Sequence, residues 1–84
     1  MNYQDHMREL SNGATLILSP IPQGYMILHC KYGEAEELGI VSLHEDQWAA
    51  RITVKNGAFT AETLRAIADL TDQLNKETQE EGAK

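Results

Sequence analysis

The chain has 84 residues, 42% of them hydrophobic and 24% charged, with a net charge of −6. A chain this short is one domain with a thin core, burying roughly 60–65% of the surface that its unfolded form exposes. A single cysteine excludes an intrachain disulfide, and seven basic residues argue against nucleic acid as the primary ligand, since phosphate binding rests on clustered Lys and Arg.

Residues 3–11, YQDHMRELS, set Tyr3, Met7 and Leu10 at helical spacing ahead of Gly13, which predicts a short N-terminal helix. The rival pattern is a strand over 6–11 that turns at Asn12-Gly13, a strong hairpin dipeptide. Both lead into a strand over residues 14–19. Pro20 and Pro22 then end that strand, because each removes a ladder donor. Further strands follow over 25–32, 39–44 and 49–55, joined by turns at 33–38 and 45–47. Asn56-Gly57 turns the chain toward a helix beginning at Ala61, with Thr60 as its N-cap and Phe59 and Leu64 at the spacing of a hydrophobic staple. Leu64, Ile67, Leu70, Thr71 and Leu74 form its buried stripe. Glu62, Arg65, Asp69, Asp72 and Lys76 form the opposite stripe, whose pairs stabilise a solvated helix face by only ~0.2–0.5 kcal/mol each. Beyond Asn75 the chain is polar, so residues 1–77 make the domain and 78–84 a flexible tail.

The expected fold is therefore α+β, a four-stranded antiparallel meander with the C-terminal helix packed on one face. Strand residues alternate between faces. By that rule Leu16 and Leu18, then Met26, Leu28 and Cys30, then Val41 and Leu43, then Ala50, Ile52 and Val54 point to the core. Trp48 shares the parity of the last set and reads as an edge-of-core anchor. The outer face then receives Ile17, Tyr25, Ile27, His29, Lys31, Ile40, Ser42, His44, Arg51, Thr53 and Lys55. Aligning the core sets places Thr15, His29, Ser42 and Arg51 in one transverse row.

The segment from Met26 to Trp48 crowds two histidines, the cysteine and five acids together, and alternation separates them. His29 and Cys30 are adjacent on a strand and leave by opposite faces, and no close Cys or His pairs supply a zinc set, so no metal and no cofactor are expected. A core-side Cys30 is a small hydrophobe rather than a nucleophile. His29 beside Ser42 lacks the carboxylate that orients an imidazole, which argues against catalysis. Glu34, Glu36 and Glu37 fall in one turn and Glu45-Asp46 in the next, at opposite ends of the sheet, so they cannot share a calcium ion. They do offer negative charge to a basic partner. The start MNYQDHMREL lacks the basic-then-apolar order of a secretion signal, and no apolar run approaches the ~20 residues that span a bilayer, so the expected setting is cytoplasmic.

In size, acidity and lack of motifs the chain is similar to small phage-encoded inhibitors of host defences, including anti-CRISPR proteins. The similarity is one of composition and carries no residues across. The expectation is a non-enzymatic protein-binding module, an inhibitor or adaptor. It would dock through Tyr25, Ile27, His29, Ser42, His44 and Arg51 of the open sheet face, or through the acidic turns, onto a basic or nucleic-acid-binding protein surface. The alternatives are a homodimerising domain and, behind it, a small enzyme using His29.

Overall fold

The computed structural model describes residues 6–55 and 57–82, so Tyr3, Asn56 and residues 83–84 lie outside the described residues. Five strands and one helix follow in chain order: β1 (Met7–Glu9), β2 (Thr15–Ile21), β3 (Gly24–Lys31), β4 (Glu34–His44), β5 (Gln47–Ile52) and α1 (Ala61–Gly82). The α+β class and the antiparallel meander hold, with strand order β1-β2-β3-β4-β5.

The expected N-terminal helix is absent among the described residues, and a fifth strand stands in its place. Met7 pairs with Ile17 and Glu9 with Thr15. The reversal is local chemistry: the Ala14 amide donates to the Asn12 side chain at 2.9 Å, and the Leu10 amide donates to the Ala14 carbonyl at 2.8 Å. Gly13 supplies the positive φ of 89°.

The proline break is also corrected, since β2 runs through Pro20 to Ile21. Ile21 pairs with Gly24 across a two-residue loop, which makes it a hydrogen-bonded pair and turns the nitrogen of Pro20 away from β3. On that other side β1 reaches only to Ile17, so the missing N–H costs no ladder bond.

Two-residue loops set every later hairpin. Tyr32-Gly33 and Glu45-Asp46 all take positive φ, the signature of the primed turn whose twist suits a hairpin. The 33–38 turn of the sequence reading is thus strand from Glu34 onward. With Ile21 opposite Gly24, Leu18 meets Ile27 and Leu16 meets His29. Leu16 and Leu18 are in the core, so Ile27 must be there too, and Met26, Leu28 and Cys30 take the outer face. The alternation choice for this strand is inverted because both faces carry large apolar side chains, and the loops decide between them.

In β4 the register shifts: Leu28 pairs with Glu37 but Ile27 with Gly39, leaving Leu38 as the extra residue of a bulge. The bulge turns both Leu38 and Val41 inward, and both are buried. The Leu38 carbonyl is held by the amides of Thr53 and Val54, at 2.9 and 3.1 Å, where the chain leaves β5. That exit ends the last strand at Ile52 rather than at residue 55. Leu43 keeps inward parity but is 54% exposed, beyond the core that it was assigned to.

The core joins Leu10, Leu16, Leu18, Ile27, Leu38 and Val41 of the sheet to Ala66, Ile67, Leu70 and Leu74 of α1. Each fully buried Leu or Ile contributes about 1.5–3 kcal/mol. Thr60 caps the helix as expected, accepting from the Thr63 amide at 3.2 Å. Phe59 packs on the core, whereas Leu64 is exposed and Thr63 and Ala66 take its place in the buried stripe. The helical backbone continues past Asn75 to Gly82, through most of the stretch read as a tail.

Gly39 is demanded by this geometry, because a Cβ there would run into the Arg51 carbonyl of the neighbouring strand. Gly39→Ala should cost about 1–3 kcal/mol by forcing β5 away from β4, read as a lowered urea midpoint. An unchanged midpoint would mean that β4 and β5 are not this close.

Candidate functional site

The helix is held from both sides. On the β1 side, Arg8 donates to Gln73 at 3.0 Å, the Ser11 hydroxyl donates to Glu62 at 2.9 Å, and His6 Nε2 lies 3.4 Å from Glu77. On the β5 side, the Trp48 amide donates to Asn75 Oδ1 at 2.7 Å, the Asn75 side-chain nitrogen donates back to the Trp48 carbonyl at 3.3 Å, and the Trp48 indole donates to Thr78 at 2.9 Å. Since β1 and β5 are opposite edges of one sheet, the sheet curls round α1. Its inner face is concave and filled, and its outer face is convex and covered by none of the described elements.

Alternation then fixes the outer face residue by residue. One transverse row reads Met7, Ile17, Leu28, Glu37. The next reads Ser19, Met26, Ile40, Arg51. A third reads Glu9, Thr15, Cys30, Ala35, and the last contains Ser42 and Ala49. Met7, Ile17, Met26, Leu28, Cys30 and Ile40 are all half-buried, shielded by one another rather than by a covering layer. The centre of the face is apolar. Its rim is polar, with Glu9, Glu37, Arg51, Ser42 and His44.

The six sheet residues expected to form a docking face are therefore divided. Ser42, His44 and Arg51 do lie on the outer face, with the Ser42 hydroxyl 3.4 Å from His44 Nε2. Ile27 is fully buried. Tyr25 packs inside between His6, at a ring separation of 5.3 Å, and Trp48, at 5.6 Å. His29 has inner parity and pairs with Glu36, in a shallow cleft with Lys31, Tyr32 and Glu34. The transverse row Thr15, His29, Ser42, Arg51 does not form: Thr15 faces Cys30, His29 faces Leu16 and Glu36, and Ser42 faces Gly24 and Ala49. His29 and Ser42 occupy opposite faces, so the pair behind the enzyme alternative is not assembled.

The acids are dispersed as well. Glu34 and Glu36 have inner parity near one end of β4, Glu37 is on the outer face, and all three belong to a strand rather than a turn. Glu45 and Asp46 form the turn at the other end and line a groove with Asp72, Asn75 and Lys76. Among the described residues no three His, Cys, Asp or Glu side chains are grouped to hold a metal ion. No described helix is long and apolar enough to cross a membrane.

Sequence reasoning missed His6, which is buried, stacks edge-on against Tyr25 and has no hydrogen-bond partner for Nδ1 among the described residues. Its signal was the strand reading of residues 6–11, which gives His6, Arg8 and Leu10 one parity. Comparison with protein families, characterised proteins and solved structures gives no match to this chain.

Asn75 is the residue on which the β5 side of the clamp depends, since it both accepts from and donates to Trp48. Asn75→Asp keeps the acceptor, removes the donor and places a carboxylate against a carbonyl. It should cost about 1–2 kcal/mol in a denaturation curve and red-shift the emission of Trp48, the only tryptophan. A variant matching the parent in both readouts would show that Asn75 does not hold this edge.

Proposed function

We propose that the chain is a non-enzymatic protein-binding module, an inhibitor or adaptor, that docks through the convex outer face of its sheet. The observation that carries this reading is the apolar centre formed by Met7, Ile17 and Leu28 in one row and Met26 and Ile40 in the next, on a face that no described element covers. A contiguous apolar patch with a polar rim is the common physical form of a protein–protein contact, because burying it returns about 25 cal/mol per Å² of apolar surface. Methionine suits such a face, since its unbranched side chain adapts to a partner's relief.

The rim selects the partner. Glu9 and Glu37 frame the apolar rows on the β1 and β4 sides, and the chain as a whole carries −6. The matching surface is apolar at its centre, with basic groups opposite Glu9 and Glu37 and an acidic group opposite Arg51. Attraction of a basic surface to the chain's net charge would speed the encounter at low salt. Occlusion of a partner's surface needs no chemistry of its own. The similarity in size and acidity to small phage-encoded inhibitors is in keeping with such a role.

The test is site-specific photo-cross-linking in the native host cell, with the reactive residue placed in turn at Leu28, at Ile40 and at the solvent-facing helix position Asp69. The first two positions should yield one and the same adduct with a different protein, and Asp69 none with that protein, an adduct with a second copy of the chain not counting. Leu28→Glu should abolish that adduct from Ile40 while circular dichroism stays unchanged. Equal labelling of that same foreign protein from Asp69, or no adduct from either sheet position, would remove the outer face from consideration.

A further inference from the structure

A second open surface lies beside the helix, away from the outer face. Between β5 and α1 runs a groove of about 320 Å³ lined by Ala50, Ile52, Leu64, Ala68 and Thr71 among others. Its lips are apolar and open, with Leu64 49% and Ile52 39% exposed. Leu64, Ala68, Thr71 and Asn75 follow one another at steps of four, three and four, which is the narrow seam by which one helix packs on another. This seam is distinct from the buried stripe of Thr63, Ala66, Ile67, Leu70 and Leu74; the sheet engages the seam at Asn75, through Trp48, and leaves Leu64 and Ala68 exposed. Beside the seam stand Arg65, on the flank away from the sheet, and Asp72, at the border of the groove near Gln47; both are exposed and about two turns apart. Among the described residues neither is in an ion pair.

We propose that this seam is a two-fold interface with a second copy of the chain, the two α1 helices running antiparallel. A two-fold contact matches residue i with j and j with i, so a surface can close on itself only if its charges are reciprocal. Here they are. A two-fold axis midway between Arg65 and Asp72, at the Ala68–Asp69 step, sets each Arg65 opposite the other copy's Asp72, and the pair forms twice. Ala68, next to the axis, lets the helices approach closely, and each Leu64 enters the other copy's groove beside Thr71 and Asn75. Pairing of β5 with its own copy is the less favourable arrangement. Asn75 already occupies the outward-facing groups of Trp48, and antiparallel pairing about Arg51 would bring two guanidinium groups face to face. The inference stands whether or not the outer face binds a partner.

The experiment is sedimentation equilibrium of the full chain from micromolar to near-millimolar concentration, with circular dichroism as a check on folding. The parent should show a reversible monomer–dimer equilibrium. Arg65→Asp makes both flank positions acidic and Asp72→Arg makes both basic, so each variant alone should dimerise at least about tenfold more weakly. An equimolar mixture of the two should recover a heterodimer, because each unlike chain completes both pairs. A parent that stays monomeric throughout, folded variants as dimeric as the parent, or a mixture no tighter than its components would each overturn the proposal. So would a dimer that ignores both charge changes and is lost in Leu28→Glu, which would place the contact on the outer face.

Discussion

The extra residue in β4 decides what the two faces of this sheet are made of. Two-residue loops pair even-numbered positions with odd-numbered ones, and from Lys31 opposite Glu34 that count would put Ile40 and Ser42 in the core and Val41 outside. Leu38 interrupts the count. Beyond it Val41 faces Tyr25 and Ala50 on the inner side, and Met26 faces Ile40 on the outer. The bulge is fixed in place by three features at once: Leu38 is buried, its carbonyl accepts two amides from the end of β5, and Gly39 lets the Arg51 backbone come close. A bulge also increases local twist, which helps the sheet to curl far enough for both edges to reach one helix.

The clamp follows from that curl. The β1 edge holds α1 through Arg8 and, in the turn after the strand, Ser11, and β5 holds it through the pairing of Trp48 with Asn75. The edge strand β5 would otherwise present unpaired groups to solvent, and an asparagine side chain stands in for part of a missing strand. Concentrating the packing on the concave side leaves the convex side with large apolar residues that none of the described elements covers. For a domain with so thin a core, committing Met26, Leu28 and Ile40 to the outside is a cost in folding stability that a binding role would offset. The proposed partner face and the proposed helix seam both take their positions from the same cause, a single helix that covers only what the curled sheet encloses.

Much of this was legible beforehand, and the misplaced residues of β3 share a cause. The C-terminal helix, its Thr60 cap, its solvated stripe, and the inward parity of Leu16, Leu18, Val41 and Trp48 all follow from spacing, because each has one apolar face against one polar face. β3 has two apolar faces. Tyr25 and Ile27 compete there with Met26, Leu28 and Cys30, and composition favoured the wrong set. Deciding between them needed the loop lengths, and the loops Pro22-Gln23 and Tyr32-Gly33 were hidden, the first by prolines read as a break and the second by glutamates read as a turn. The bulge left no mark in the pattern beyond Leu38-Gly39. Hence Ser42, His44 and Arg51 were placed on the open face correctly, and Tyr25, Ile27 and His29 were not.

The most direct test of this register uses the only cysteine. On the outer face, half-exposed Cys30 should react with a thiol reagent in the folded protein at a rate within reach of a free thiol. A cysteine introduced at Ile27 in a Cys30→Ala background should react only after denaturation. A protected Cys30 with a reactive position 27 would mean that β3 is turned over, and both the core and the proposed binding face would then have to be redrawn.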